Sequence, residues 1–107
     1  MNGFKRVTGE DITDLKAYIL DYLRKRPECY IMVGCDSQSK RNSIIYATTI
    51  IFITPRKGGH VIMKREWKKK GIDFHSRLWA EVENIGAVST FLGEFLPKDA
   101  RCNKVLW

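Results

Sequence analysis

The sequence predicts a small α/β domain in which a helix is followed by three antiparallel strands, a second helix and a further strand. Three observations predict this class. The chain has 107 residues, of which 44% are hydrophobic, enough for the core of one domain. Apolar residues recur at helical spacing in two segments, with three strand-like segments between them. No repeat, low-complexity tract or Pro/Ser-rich linker divides the chain, so residues 1–107 are predicted to form one domain.

The first element is predicted to be a helix over residues 11–25. Its apolar residues recur every three or four positions. Asp11 is the expected N-cap and Asp14 lies in the first turn, where carboxylates are favourable. Basic residues at 24–26 suit the negative end of the helix dipole, and Pro27 is expected to end the helix.

Three strands are predicted next. Residues 30–35 form a short, nearly continuous apolar run, which is typical of a strand buried on both faces. The polar residues 37–42 predict a connecting loop. Residues 44–54 are rich in Ile and Thr and have high strand propensity. Residues 55–59 predict a hairpin connection to a third strand over 60–67. Two successive hairpins make an antiparallel meander, in which the first strand is expected to become central.

A second helix is predicted over residues 75–96, ended by Pro97, and the beginning of a fourth strand follows at 103–107. A strand reached through a crossover helix should lie parallel to the first strand. Because the sequence stops at Trp107, we expect an incomplete domain, a truncated gene product, or a chain whose sheet is completed by a partner chain or by self-association. An ordinary small α+β domain with a C-terminal last strand is the alternative. The apolar stripe of the second helix consists of Leu78, Val82, Ile85, Leu92, Phe95 and Leu96.

Charge and cysteine content narrow the function classes. Nineteen Lys and Arg against twelve Asp and Glu give a net charge of +7, with the excess concentrated at 40–41, 56–57 and 64–70. This balance favours polyanionic partners such as nucleic acid, although lysine-rich faces are often only solvated surface. Three widely spaced cysteines fit neither a disulfide framework nor a zinc site. Neither a membrane-spanning run nor a signal peptide is evident, so we expect no membrane partner and a cytoplasmic location.

The sharpest local signal for chemistry is Asp36, which directly follows the predicted buried strand. A carboxylate held on a rigid sheet end suits a hard divalent cation. The alternative is that Asp36 caps the strand and binds the backbone of the turn at 37–38.

Glu81 on the second helix is the second candidate ligand. At about 100° per residue, Glu81 lies near −60° from Leu78, on the margin of the apolar stripe, whereas Glu83 is expected to face water. A glutamate directed toward the sheet is costly unless it is paired or binds a metal. Arg77, one turn before Glu81, offers an ordinary i,i+4 ion pair, so both interpretations stay open.

The initial helix, the sequence Tyr30–Gln38, the two long strands and the helix start Arg77-Leu78-Trp79-Ala80-Glu81 resemble the bacterial ribonuclease-H-like family labelled YkuK. That family has a Gly-Thr-Asp-Ser-Gln strand end and an Arg-Leu-x-x-Glu helix start. Here Cys35 stands in place of the threonine. The resemblance covers essentially the whole chain. The matching motif positions are Gly34, Asp36, Ser37, Gln38, Arg77, Leu78 and Glu81.

The resemblance implies a ribonuclease-H-like fold and a metal-dependent nuclease. In that superfamily an acidic cluster binds two divalent cations, Mg²⁺ or Mn²⁺, for phosphodiester hydrolysis. Asp36 would bridge the ions and Glu81 would be the ligand from the helix. The superfamily's later acidic ligands have no counterpart before Trp107, so an inactive nuclease, or a non-catalytic module that binds nucleic acid or protein, is the alternative. The residues predicted to contact the substrate are Ser37, Gln38, Arg77, Lys40 and Arg41.

Three further side chains carry weaker signals. Trp67 lies within the basic segment 64–70 and could stack on a base while the lysines follow a nucleic-acid backbone, although a strand tryptophan more often packs against its sheet. His75 could act as a base near Glu81, although a simple first-turn residue is the more ordinary interpretation. Cys35 is expected to be inert packing.

Overall fold

The chain folds into a five-stranded sheet with two helices, and the computed structural model describes residues 3–69, 74–96 and 102–106, with side chains described for 3–69 and 77–96. The predicted α/β class is therefore confirmed. The elements in chain order are β1 (Lys5–Arg6), α1 (Leu15–Lys25), β2 (Tyr30–Ser39), β3 (Ser43–Thr54), β4 (Gly58–Lys69), α2 (Phe74–Gly93) and β5 (Cys102–Leu106).

The strands lie in the order β1-β4-β3-β2-β5. The pairs β2/β3, β3/β4 and β1/β4 are antiparallel, so the predicted meander is confirmed. The strand β5 pairs in parallel with β2. The first strand of the meander, β2, was predicted to be central. It has a neighbour on each side, but the central strand of the sheet is β3, and β2 lies next to it.

The start of α1 differs from the prediction. Asp14, not Asp11, is the N-cap, and its side chain accepts a hydrogen bond from the Ala17 N–H at 3.1 Å. Asp11 forms a β-bridge and a 3.6 Å ion pair with Lys5 instead. The cause is the unpredicted strand β1, which is too short to give a strand pattern in the sequence. β1 pairs with β4, the chain then turns back at residues 7–9, and Asp11 pairs with Lys5 of β1, so Asp11 is held outside the helix, which begins at Leu15.

Strand β2 is longer than predicted and includes the predicted loop residues Ser37 to Ser39. Asp36 therefore lies inside the strand, three residues before its end. Polar residues are poor strand formers, but here β3 supplies backbone partners through Ser39, which pairs with Ile44. This pairing satisfies the backbone hydrogen bonds of residues 37–39, and that gain outweighs their low strand propensity.

The sheet has two distinct faces, and both helices pack on one of them, the inner face. On β3 every second residue is buried, the pattern of a strand covered on one side. Helix α1 packs on the inner face through Tyr22, whose ring lies 4.6 Å from that of Phe52. Helix α2 packs there against β2. The opposite, outer face carries the partly exposed residues of the strands. Within the described ranges, neither helix has the length and hydropathy needed to cross a bilayer.

The buried stripe of α2 is shifted from its predicted position. Leu78, taken as its start, is 46% exposed, whereas Val88, which was not included, is 3% exposed. The stripe runs through Ile85, Val88 and Leu92. Glu81 precedes Ile85 by one turn and therefore points at the sheet from the N-terminal end of this stripe.

Candidate functional site

The motif residues of β2 and α2 meet at Ser37 on the inner face. The Ser37 hydroxyl donates to the Glu81 carboxylate and accepts from Arg77 Nε at 2.7 Å. Arg77 Nη2 also donates to the Ser37 carbonyl at 2.9 Å. Three residues that the sequence singled out are thus in direct contact, and they join α2 to the sheet.

The structure shows which group binds the Glu81 carboxylate. Arg77 and Glu81 were considered as an i,i+4 ion pair, but both instead bind Ser37, which lies between them. Arg77 donates from Nε and Nη2 to Ser37, and its third nitrogen, Nη1, lies 3.5 Å from the Ser39 hydroxyl. Glu81 is half-buried, and its carboxylate accepts a hydrogen bond from the Ser37 hydroxyl.

Tyr46 is a site residue that the sequence did not indicate. It lies opposite Ser37 in the ladder and is completely buried. Its hydroxyl has no hydrogen-bond partner within the part of the chain that the structure describes. Burial raises the pKa of Tyr46; Arg77 lowers this pKa and Glu81 raises it. In the sequence, an aromatic residue in an alternating strand indicates only burial.

Cys35 is buried beside this cluster as an ordinary packed thiol. Thr48 Oγ1 and Asn84 Nδ2 both donate to its sulfur, at 3.6 Å and 3.7 Å. Burial is the main cause that raises the pKa of Cys35, and the nearby carboxylate Glu81 adds to this effect. A raised pKa keeps the thiol protonated at neutral pH, which agrees with the expectation of inert packing.

Asp36 faces the other side of the sheet. Successive strand residues point to opposite faces, and Ser37 points inward, so Asp36 points outward and is exposed. It lines a cleft of about 430 Å³ on the outer face, which we call the outer cleft. The residues of the outer cleft are Asp36, Gln38, Lys40, Ile45, Ala47, Arg65 and Trp67.

The described residues do not fit the two-metal site that the family resemblance implies. Asp36 and Glu81 lie on opposite faces of the sheet, separated by its backbone. Across the described residues, no group of three or more His, Cys, Asp or Glu side chains could hold a metal ion. A single exposed carboxylate on one face and a serine-bound carboxylate on the other do not make the clustered oxygen donor set that Mg²⁺ or Mn²⁺ requires.

The outer cleft brings together several side chains from the basic segments. Gln38 comes from the end of β2, Lys40 directly follows that strand, and Arg65 and Trp67 come from β4. Trp67 is 66% exposed, so it does not pack against the sheet in the ordinary way. Arg41, also predicted to contact the substrate, is exposed in the turn between β2 and β3 and is not part of the cleft lining. The side chains of His75 and Lys70 lie outside those described.

Comparison with known proteins agrees with this architecture. The family model described as Ribonuclease H-like matches residues 12–105. The match includes both motifs, the one on β2 and the one on α2. No curated protein and no solved structure matches the chain significantly. Because the match spans most of the sequence, the resemblance is confirmed: the chain belongs to the ribonuclease-H-like family.

Proposed function

We propose that this ribonuclease-H-like domain binds nucleic acid at the outer cleft, and that binding needs no divalent ion. The observation that carries the proposal is the pair of cations in the cleft. Lys40 and Arg65 both line it, and neither is in an ion pair with any described residue. Unpaired cations beside a concave surface are the electrostatic signature of a phosphate-binding face.

The composition of the chain supports the same ligand. A net charge of +7 favours polyanions because binding releases condensed counterions. Asp36 opposes this attraction within the cleft, since it places one negative charge near the two cations. Gln38 adds neutral hydrogen-bonding groups that suit phosphate, sugar or base edges.

Phosphodiester hydrolysis with Mg²⁺ or Mn²⁺ stays a prediction that family membership supports. The separation of Asp36 from Glu81 does not favour it. A non-catalytic module is therefore the function that the geometry supports better.

The test is the salt dependence of oligonucleotide binding, measured by fluorescence anisotropy in EDTA with the full 107-residue chain. Lys40→Ala and Arg65→Ala should each weaken binding and each reduce the slope of log K against log[KCl] by about 0.7 to 0.9. Lys57→Ala is the matched control, because Lys57 lies in the turn at the opposite end of the β3–β4 hairpin. Equal effects of all three substitutions would refute the outer cleft as the binding site.

Asp36→Asn separates the two functions. If the cleft binds phosphates without metal, removing the opposing charge leaves binding intact or strengthens it. If Asp36 is a metal ligand, the same substitution abolishes any Mn²⁺-dependent binding or cleavage. An unmodified chain that shows no salt-sensitive binding at all would refute the proposed function.

A further inference from the structure

The most unusual feature of the outer face is the exposed indole of Trp67. Tryptophan is highly buried on average in folded proteins. Here 66% of Trp67 is exposed, although it lies in the regular part of β4, paired with Ile45 of β3. Ile45 in turn pairs with Gln38 of β2, so Gln38, Ile45 and Trp67 form one row across the outer face. The backbone of Trp67 is therefore held by strand pairing, and its ring is accessible.

Clefts lie on both sides of this indole. Trp67 and Arg65 line the outer cleft and also a second cleft of about 330 Å³, which extends toward β1. The second cleft contains the basic residues Lys5 and Arg6. Their charges are partly compensated, since Lys5 pairs with Asp11 at 3.6 Å and Arg6 with Glu10 at 3.2 Å. Of the cations that line the two clefts, Lys40 and Arg65 are the two that form no ion pair with a described residue, and both line the outer cleft.

We propose that the ligand of this face is a single strand of nucleic acid, one base of which stacks on Trp67 while Lys40 and Arg65 contact flanking phosphates. The inference rests on the proposed function and names its substrate class. Aromatic platforms with adjacent cations are how sheet surfaces bind unpaired strands, since every base has a face that can stack. In a duplex the faces of the bases are covered by their neighbours, so a duplex could use the cations but not the indole.

The experiment compares labelled 12-mers of single-stranded RNA and single-stranded DNA of one sequence with the corresponding 12-base-pair duplex, by anisotropy with the full chain in EDTA. We expect either single strand to bind more tightly than the duplex. Trp67→Ala should weaken single-strand binding by about 5-fold to 150-fold, the range for loss of one stacked base. Trp67→Phe should retain part of the affinity because a ring remains. The RNA and DNA arms show which sugar the site prefers.

Trp79→Ala is the matched control. Trp79 is 64% exposed, nearly as much as Trp67, but it lies on α2, where its indole donates to Glu83 at 2.7 Å. Its substitution should change affinity less than twofold. Circular dichroism checks that each variant is folded, which is expected because both tryptophans are exposed.

The outcomes separate this inference from the proposed function. Duplex binding as tight as single-strand binding, with no effect of Trp67→Ala but weakening by Lys40→Ala and Arg65→Ala, would overturn the single-strand inference and leave the cleft as a phosphate site. Failure of every nucleic acid to bind would overturn both. Equal losses from Trp67→Ala and Trp79→Ala would also overturn the inference, because the effect would not belong to the outer face.

Discussion

Replacing Ser37 by alanine tests whether the motif on β2 holds α2 against the sheet. The substitution removes the hydroxyl that accepts from Arg77 Nε at 2.7 Å and donates to the Glu81 carboxylate. It leaves the Ser37 carbonyl, so the hydrogen bond from Arg77 Nη2 at 2.9 Å is retained. The perturbation is therefore confined to two hydrogen bonds between the elements.

The expected cost follows from the charge and burial of the two partners. A hydrogen bond to a charged group contributes about 1.5–3 kcal/mol when it is well shielded. Arg77 and Glu81 are only half-buried, so water or a direct ion pair between them replaces part of what is lost. We expect the free energy of unfolding to fall by about 1–2 kcal/mol, which corresponds to a decrease in Tm of roughly 4–16 °C for a domain of this size.

Urea unfolding followed by circular dichroism measures this loss, with Ser39→Ala as the control. Ser39 is on the same strand and face, and its hydroxyl lies 3.5 Å from Arg77 Nη1, but it is exposed. Its substitution should change stability by less than about 0.5 kcal/mol. A double-mutant cycle of Ser37→Ala with Glu81→Gln should give a coupling energy of at least about 0.5 kcal/mol. Equal effects of the two serine substitutions, or no coupling, would refute the reasoning.

Two further predictions concern buried groups of the inner face. Tyr46→Phe removes a buried hydroxyl that has no partner among the described residues, so stability should stay unchanged or rise by up to about 1–3 kcal/mol, and a loss in urea unfolding would show that the hydroxyl is bonded. Burial, assisted by Arg6 and Arg26, lowers the pKa of His60, whose Nε2 lies 2.6 Å from the Tyr18 hydroxyl. The neutral ring is therefore favoured in the fold, and its stabilisation should be fully present above the unfolded pKa of about 6.5 and lost as pH falls through the folded pKa. His60→Phe should flatten the urea midpoint profile as pH falls below about 6.5, and parallel profiles for both chains would contradict the assignment.

The long hairpin was predictable because its signals are local. The Ile- and Thr-rich segment 44–54 matches β3 to within one residue, and the turn at its end is where the sequence indicates. The strand β1 was not predictable, because two residues carry no periodicity. Its existence depends on pairing with β4 across more than fifty residues of chain. Lys5 of this strand also pairs with Asp11, and Asp14 caps the helix instead.

The sequence motifs name several residues of the candidate site but do not predict its geometry. The motifs single out Ser37, Arg77 and Glu81, but the hydrogen bonds that join these three residues were not predicted and are shown by the structure. The burial of the Tyr46 hydroxyl without a described partner depends on tertiary packing, and no local sequence pattern indicates it. The exposure of Trp67 was also unpredictable, since strand alternation assigns a face but does not reveal whether anything covers that face.

The outward position of Asp36 follows from the alternation of side chains along a strand. This alternation places the motif residues of β2 on two faces of the sheet. Strand periodicity of two, taken from buried Val33 and Cys35, already places Asp36 on the side opposite Ser37 once the strand continues past residue 35. The prediction of a strand end at Cys35 hid this consequence, because a loop residue can turn to either face. The inward residue Ser37 joins α2 to the sheet, and the outward residues Asp36 and Gln38 line the outer cleft. Substitutions at neighbouring motif positions should therefore separate stability from ligand binding, which a single clustered catalytic centre would not allow.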